Sequence, residues 1–457
     1  MMSDNFREYM MPGKRGYLIG IGGVSMSPLA EVLSGMGLKI NGSDIAEGEN
    51  VIHLREVGIS VNLGHHAENI TPDIDFVVRT SAVRDDNVEV ITTRAAGIPL
   101  FERAETWGAI MRDYRNAICI AGTHGKTTTT SMTTQIFMAA GRDPTAMIGG
   151  TLPLLSSGHR VGESDTIIME SCEYYNSFHN FIPTIAVILN IEADHLDFFK
   201  DLDDIKDSFR HFAASTPDGG VIVANLDDEN TMLTLEPLGR ELFTFGLDER
   251  ADVRAVKITH KDTETEFDLC LRGEILTRIR LTVPGMHNVM NALAAAAAAI
   301  NANIPAEAIK DGLESFHGVI RRFQYKGSLN GAKIYDDYAH HPGELKALFS
   351  AVSSLDFQRV IAVFQPHTYS RTSALFDDFA EQLRRPDVTF LAEIYPAREV
   401  NTYNISSSDL VAQIPDAESF SDFDAIEERL RQIASDGDII LTIGAGDVYK
   451  IGENLVK

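Results

Sequence analysis

The stretch ICIAGTHGKTTTT, residues 118–130, decides the fold. An apolar run suited to a buried strand passes into Gly122-Thr123-His124-Gly125-Lys126-Thr127-Thr128 and then into a helix. Loops of this kind turn backbone N–H groups onto triphosphate oxygens and set a lysine ammonium near the terminal phosphate. They follow it with a hydroxyl that ligates magnesium. A strict nucleotide loop has another glycine where Ile120 stands, so this motif is a shortened variant. The ligand it predicts is ATP with Mg2+.

Two acidic clusters follow strands beyond the loop: Glu170 and Glu173 in MESCEYYNSF, and Glu192, Asp194, His195 and Asp197 in NIEADHLD. Taken alone, such acids read as helix caps and solvated surface. Behind a phosphate loop they read as magnesium ligands, because magnesium takes hard oxygen donors and keeps several waters. His195 is placed to complete a second metal position. These parts suit phosphoryl transfer, which needs positioning and neutralisation of developing charge more than covalent help. They leave the acceptor open: water makes an ATPase, a hydroxyl a kinase, a carboxylate an acyl-phosphate ligase.

Upstream, GYLIGIGGVSMSPLAEVLSGMGLKINGSD, residues 16–44, reads as strand, glycine turn, amphipathic helix and second strand. Gly20, Gly22 and Gly23 let a diphosphate approach the backbone, and Asp44 is spaced to reach a ribose hydroxyl. Ser25 stands where a dinucleotide fingerprint has its third glycine, which weakens a nicotinamide reading. Further strands are predicted in FVVRTS and around IPLF. In the central stretch they fall in TIIME, TIAVILNI and GVIVAN, with a buried small-residue helix over Ala292–Ile300. Thr244 to Val283 alternates apolar and polar residues and predicts a small antiparallel insert. A third unit opens near IRRFQYKG and holds KIYDDYAHHP, RVIAVFQPH, VTFLAEIYP and DIILTIGAGD.

The reading is therefore an α/β chain of three domains. Residues 1–112 form a Rossmann-like N-terminal domain, 113–318 a P-loop ATPase domain with a parallel sheet and the antiparallel insert, and 319–457 a Rossmann-like C-terminal domain. A length of 457 residues fits domains of roughly 100–200 residues each. Formal net charge is −26, with 66 acidic against 40 basic residues, so nucleic acid and anionic membrane are not expected partners. A local cationic pocket still holds a phosphorylated ligand inside that envelope. Three dispersed cysteines argue against a disulfide framework, and the opening MMSDNFREYMMPGKR lacks the apolar core of an export signal. A cytoplasmic monomer or homodimer is expected.

Several of these segments share one order with a known family. GIGGVSMSPLAEVL, AGTHGKTTTT, ESCEYYNSF, NIEADHLD, PGMHNVMNALAA, RRFQYKG, DDYAHHPGE, QPHTYSRT and GAGDVYKIGENL occur as they do in Mur ligases, and the chain is identified as a member. The resemblance covers nearly everything past the first fifteen or so residues. It is closest to the branch that joins L-alanine to UDP-N-acetylmuramate. It implies that ATP phosphorylates the sugar's lactyl carboxylate, that the amine attacks the acyl phosphate, and that the third domain closes over the site.

Carried over by motif, it implies Lys126 on the ATP phosphates, Thr127 and Glu173 on a first magnesium and His195 on a second. Asn288 and Asn291 fall on the adenine side, and Arg322, Asp337 and His340 reach ATP from the third domain. His367 and Arg371 stand near the amino-acid and acyl-phosphate end, and Ser81 joins the UDP-sugar set. Thr368 sits where many relatives carry arginine, and Cys172 replaces an acid. Phe209 lies near the place of a metal-bridging modified lysine used by several siblings, which the alanine-adding branch lacks. A sibling that attaches a recycled peptide usually has a longer segment after ESCEYYNSF. A dehydrogenase would leave the phosphate loop unexplained, and a non-catalytic relative would not keep Lys126, Thr127, Glu173 and His195.

Overall fold

The computed structural model describes residues 6–457 except Ser81, Asp197, Asp262, Thr263, Ser354 and Arg398. Described strands form three sheets, of five, ten and six strands. The first is wholly parallel, ordered β3-β2-β1-β4-β5. Its strands are β1 (Arg15–Ile19), β2 (Lys39–Asp44), β3 (Ser60–Leu63), β4 (Phe76–Arg79) and β5 (Leu100–Glu102). Tyr17, Leu18 and Ile19 are consecutive and fully buried, as a strand covered on both faces requires. Helix α1 (Ser27–Gly35), with proline in its first turn, follows β1, and α2 (Glu49–Glu56) follows β2. Strand order reverses at β1, where a doubly wound sheet opens its ligand crevice, and Gly20–Gly23 turn there.

From β5 the chain enters α3 (Arg103–Met111), which packs the first domain onto the second. Gly108 makes that approach close. A Cβ on it would lie 2.0 Å from the Asn180 carbonyl oxygen. One apolar cluster runs from Phe6 and Phe76 through Trp107 to Phe178 and Phe209 in the second domain.

The second sheet is ordered β15-β14-β13-β12-β11-β10-β6-β9-β7-β8. It comprises β6 (Asn116–Ala121), β7 (Thr145–Leu152), β8 (Ser157–Arg160), β9 (Thr166–Glu170), β10 (Ile185–Ile188), β11 (Val221–Asn225), β12 (Leu242–Gly246), β13 (Val253–Lys261), β14 (Glu264–Leu271) and β15 (Glu274–Leu281). The phosphate loop joins β6 to α4 (Lys126–Ala139). Against that sheet lie α5 (Leu202–Ala214) and α6 (Met286–Asn301), whose run Ala292–Ala299 is fully buried. Alanine's short side chain lets α6 sit close to α4 without voids.

The antiparallel insert starts later than its alternation implied. Thr244 lies in β12, which pairs parallel with β11, and the antiparallel ladder begins at Val253. Alternation alone does not separate a parallel edge strand from a hairpin. The edge hairpin β7–β8 was not legible either, since Gly149 and Gly150 interrupt any apolar period.

The third sheet runs β16-β17-β21-β18-β19-β20. Its members are β16 (Gln324–Leu329), β17 (Ala332–Asp337), β18 (Arg359–Phe364), β19 (Val388–Ala392), β20 (Glu418–Phe420) and β21 (Asp438–Ile443). All pairings are parallel except β16 with β17. Helices α7 (Pro342–Val352) and α8 (Tyr369–Ala374) carry the HHP and TYSRT motifs. No helix among the described residues is long and apolar enough to cross a membrane.

Candidate active site

The phosphate loop is shaped by Gly125, which sits at φ +84° as the residue before α4. A side chain there would be strained, and its Cβ would stand 2.5 Å from Asn291 Oδ1. Loop amides of Thr123 and His124 are already engaged by Asn190, through its carbonyl (3.0 Å) and its Oδ1 (2.8 Å). The backbone donors left by helix geometry are therefore those of the cap and first turn of α4, at Gly125, Lys126, Thr127 and Thr128. This narrows the loop's predicted backbone cradle to its helical end.

Lys126 folds back over the loop. Its ammonium donates to the carbonyls of Gly122 (2.5 Å) and Thr123 (3.1 Å) and to Glu173 Oε2 (3.0 Å). Glu173 is almost wholly buried, with 2% of its surface exposed. Burial would drain charge from Lys126, but the carboxylate of Glu173 outweighs it and holds the ammonium firmly protonated. Thr127 donates to Glu170 Oε1 at 3.1 Å, and Glu170 Oε2 accepts from the Gly149 amide at 2.6 Å. His195, at φ +53°, brings its Nε2 to 3.9 Å from Glu173 Oε1 and stacks on Tyr174. Glu173 thus holds the lysine ammonium, the His195 imidazole stands beside that carboxylate, and the Thr127 hydroxyl rests on the neighbouring Glu170. That donor set is hard and oxygen-rich, and it fits a magnesium ion.

The third domain closes on the same place. Arg371 of α8 donates to Asp194 Oδ1 through Nε (3.2 Å) and Nη2 (3.1 Å), and its Nη1 lies 3.3 Å from His367 Nδ1. Burial alone would raise Asp194, yet Arg371 and then His195 hold it well below the carboxylate range. His340 Nδ1 faces the Tyr338 carbonyl (3.0 Å) and Glu344 (3.3 Å), both acceptors, so Nδ1 carries the proton and Nε2 keeps its lone pair. Burial pushes both His340 and His367 down to about 4, so both are neutral near pH 7. Thr368 caps α8 at φ +67°, ψ 146°, a backbone region costing about 1–3 kcal/mol for a side chain. The strain sits in the loop that aims His367 and Arg371.

Between the two domains lies a cavity of about 650 Å³, lined by Thr128, Asn288, Asn291, Arg322, Asp337 and Tyr335 among others. Thr129 donates to Asn291 Oδ1 at 3.2 Å, and Asn291 donates to Asn288 Oδ1 at 3.3 Å. Asp337 accepts from the amides of Phe323 (2.7 Å) and Ala339 (2.8 Å). Burial pushes it up to about 6 against the pull of Arg322.

Glu344 was given no role from sequence, and the structure makes it a hub. His124 Nδ1 (3.7 Å), Arg322 Nη1 (3.6 Å) and the His340 ring all face it. It is the last residue of DDYAHHPGE, but only the fold shows that two cations, His124 and Arg322, and the neutral His340 ring converge there from two domains. His124, pulled down by burial, is raised to about 9 by Glu192 and Glu344.

In the first domain the Gly22 amide donates to Asp44 Oδ2 at 2.9 Å, so Asp44 closes over the glycine turn. A Cβ on Gly20 would meet the Thr80 methyl at 2.9 Å, and Gly23 donates back to the Gly20 carbonyl. Ser25 Oγ accepts from Arg103, and Ser25's carbonyl accepts from Trp107 Nε1 at 3.2 Å. Arg103 is a second residue sequence reasoning missed. A cation in the first turn of a helix opposes the helix dipole, and that was its available signal. No hydrogen bond or ion pair among the described residues joins the Gly20–Asp44 set to the phosphate loop directly. Ser81 and Asp197 lie outside the described residues. Cys172 is exposed beside Glu173, and Phe209 is buried edge-on against Phe178 rather than bound to any polar group.

Three α/β units, with a phosphate loop in the second, acidic side chains beside it and a third domain packed against it, are an architecture suited to a multidomain nucleotide-dependent ligase. The chain belongs to the Mur ligase family: its catalytic-domain model matches residues 16–115, its middle-domain model 120–299 and its glutamate-ligase-domain model 321–446. Among curated relatives, the UDP-N-acetylmuramate–L-alanine ligase of Agathobacter rectalis is 46% identical, covering 96% of this chain and 97% of its own. The protein of the same name from Clostridium novyi is 43% identical over the full length of both. The crystal structure of UDP-N-acetylmuramate-alanine ligase from Thermotoga maritima superposes with TM-score 0.79 at 26% identity, covering 97% of this chain and 98% of that one. A murein peptide ligase from Psychrobacter arcticus shares the fold, at TM-score 0.70 and 24% identity over 97% and 98%.

Proposed function

We propose that the chain joins L-alanine to the lactyl carboxylate of UDP-N-acetylmuramate, with ATP converted to ADP and phosphate, during synthesis of peptidoglycan precursors. The observation that carries this reading is a single cleft. Lys126 pairs with Glu173, His195 stands between Glu173 and Asp194, and Asp194 in turn pairs with Arg371 of the third domain. The chain's 46% identity to a protein of that activity's name supports the same reading.

A carboxylate is a poor electrophile until one of its oxygens becomes a leaving group. In the proposed sequence a carboxylate oxygen attacks the γ-phosphorus of ATP and ADP departs, giving an acyl phosphate. The amine of alanine, having lost a proton, attacks the carbonyl carbon, and the tetrahedral adduct collapses with loss of phosphate. Lys126 and the first turn of α4 would balance charge on the phosphates. Thr127, Glu173 and His195 would hold magnesium, which supplies further neutralisation of the transferring phosphoryl group.

Asn288, Asn291, Arg322 and Asp337 would take the adenosine end of ATP, with Gly122, Thr123, His124, Gly125 and Thr128 around its phosphates. Gly20, Gly22, Gly23, Ser25, Asp44 and Ser81 would hold the UDP-sugar. Arg371 and His367 would face the acyl phosphate and amino acid, with the Nε2 lone pair of His340 available to the amine's proton. Residues 1–112, 113–318 and 319–457 would then be the UDP-sugar, ATP and closing domains. The three cysteines are free, which accords with a reducing cytoplasm.

The test is phosphate release from ATP and Mg2+ with UDP-N-acetylmuramate, with and without each amino acid. Release that needs the sugar and is strongest with L-alanine supports the proposal. Release that needs the sugar but answers only to a tripeptide moves the chain to the peptide-attaching branch.

A further inference from the structure

Away from the cleft, where the first domain meets the edge of the second sheet, three side chains converge. Glu31 comes from α1, His53 from α2 and His159 from β8. Both imidazoles reach the same carboxylate oxygen: His53 Nε2 lies 3.1 Å from Glu31 Oε1, and His159 Nε2 lies 2.9 Å from it. One donor atom from each residue lies within 4.8 Å of the other two. Each Nε2 either donates its proton to the carboxylate or, in the other tautomer, turns a lone pair toward the same point as the oxygen, where a cation can sit.

We propose that Glu31, His53 and His159 form a binding site for a divalent transition metal of the zinc class, stapling the first domain to the β7–β8 hairpin. Two imidazole nitrogens and one carboxylate oxygen are a recurrent zinc ligand set, with the fourth position left to water. Tetrahedral ligand atoms around zinc stand about 3.3 Å apart, so the two nitrogen–oxygen distances of 3.1 and 2.9 Å need to open by only a few tenths of an ångström. His159 is oriented by Ser157, whose Oγ lies 3.0 Å from its Nδ1, as metal-binding histidines are held by a partner on the far nitrogen. His159 and Glu31 are largely buried, with side chains 10% and 18% exposed, while His53 at 45% leaves an entry path from solvent. None of the three belongs to the nucleotide cleft.

The experiment compares full-length protein, stripped with chelator, with His53→Gln, His159→Gln and the double variant. Zinc uptake is read by competition with a chromophoric chelator, and cobalt(II) uptake by its d–d absorption. A second cluster, His124, Glu192 and His341, lies in the cleft and is common to all forms, so only the difference counts. The parent is expected to take one more zinc equivalent than the double variant, to show a cobalt band in the difference spectrum against the variants, and to gain more melting temperature from zinc than the double variant does. Losing a direct ligand should weaken that uptake by more than the ~10–100-fold typical of losing an outer-shell partner. Equal zinc stoichiometry and affinity in parent and double variant, or a parent that takes up no metal, would overturn the proposal. His53→Gln, at a half-exposed position, keeps the test valid if His159→Gln lowers the metal-free melting temperature.

Discussion

Replacing Lys126 by methionine removes the cation beside Glu173, a carboxylate whose side chain is 3% exposed and which Lys126 meets at 3.0 Å. Met keeps the aliphatic stem and loses the charge, so Glu173 is left buried and without its nearest positive partner. Removing one member of a buried pair costs about 3–5 kcal/mol, most of it the penalty of the stranded charge. At roughly 2–4 °C per kcal/mol for a domain of this size, the ligand-free protein should melt about 6–20 °C lower. Adding Glu173→Gln removes the stranded charge, and the double variant should recover most of the loss. Neither form should release phosphate from ATP. Calorimetry of the parent, both single variants and the double variant closes the cycle, with phosphate release measured on the same samples. A Lys126→Met protein that melts within about 1 °C of the parent, or a double variant no more stable than Lys126→Met, would refute the buried-pair reasoning. ATP turnover in the double variant would refute the placing of Lys126 on the phosphates.

Gly125→Ala should raise the KM for ATP at least about tenfold, because a left-handed backbone costs alanine about 1–2 kcal/mol and the new Cβ meets Asn291 at 2.5 Å; an unchanged KM in steady-state assays would show that the loop is not held as described. The ligand-free protein should lose stability as pH rises. His124 is raised from 6.5 to about 9, so its contribution is complete below pH 6.5 and is lost as pH climbs through about 9. That amounts to about 3 kcal/mol, and thermal melts of His124→Gln should lack that alkaline decline. Asp44→Ala should mainly raise the KM for UDP-N-acetylmuramate, and an effect confined to ATP would show that the two nucleotide domains are assigned the wrong way round.

What was legible in the chain is what depends on short-range pattern. A strand, a glycine-bearing turn and a helix recur at Gly20–Gly23 and Gly122–Gly125, and buried runs such as RVIAVF read directly as parallel strands. Register between distant strands is not legible, so the alternation assigns Thr244 to the antiparallel insert although its partner is β11. The site was half legible for the same reason. Lys126, Thr127 and Glu173 sit in motifs from which a phosphate and metal role is proposed directly. Glu344 and Arg103 do not, because their roles arise from partners brought in by other elements: His124 and Arg322 for one, Ser25 for the other. Thr368 was noted only as a substitution, and its strained φ of +67° appears once the backbone is seen.

The most direct test of acyl-phosphate chemistry follows an atom. UDP-N-acetylmuramate labelled with 18O in its lactyl carboxylate is incubated with ATP, Mg2+, L-alanine and the protein, and the released phosphate is analysed by mass spectrometry. If the carboxylate attacks the γ-phosphorus, one labelled oxygen passes into the phosphate for each amide formed, and Lys126→Met abolishes both. Amide formation with unlabelled phosphate would contradict that route, and labelled phosphate without any amide would contradict ligation as the outcome.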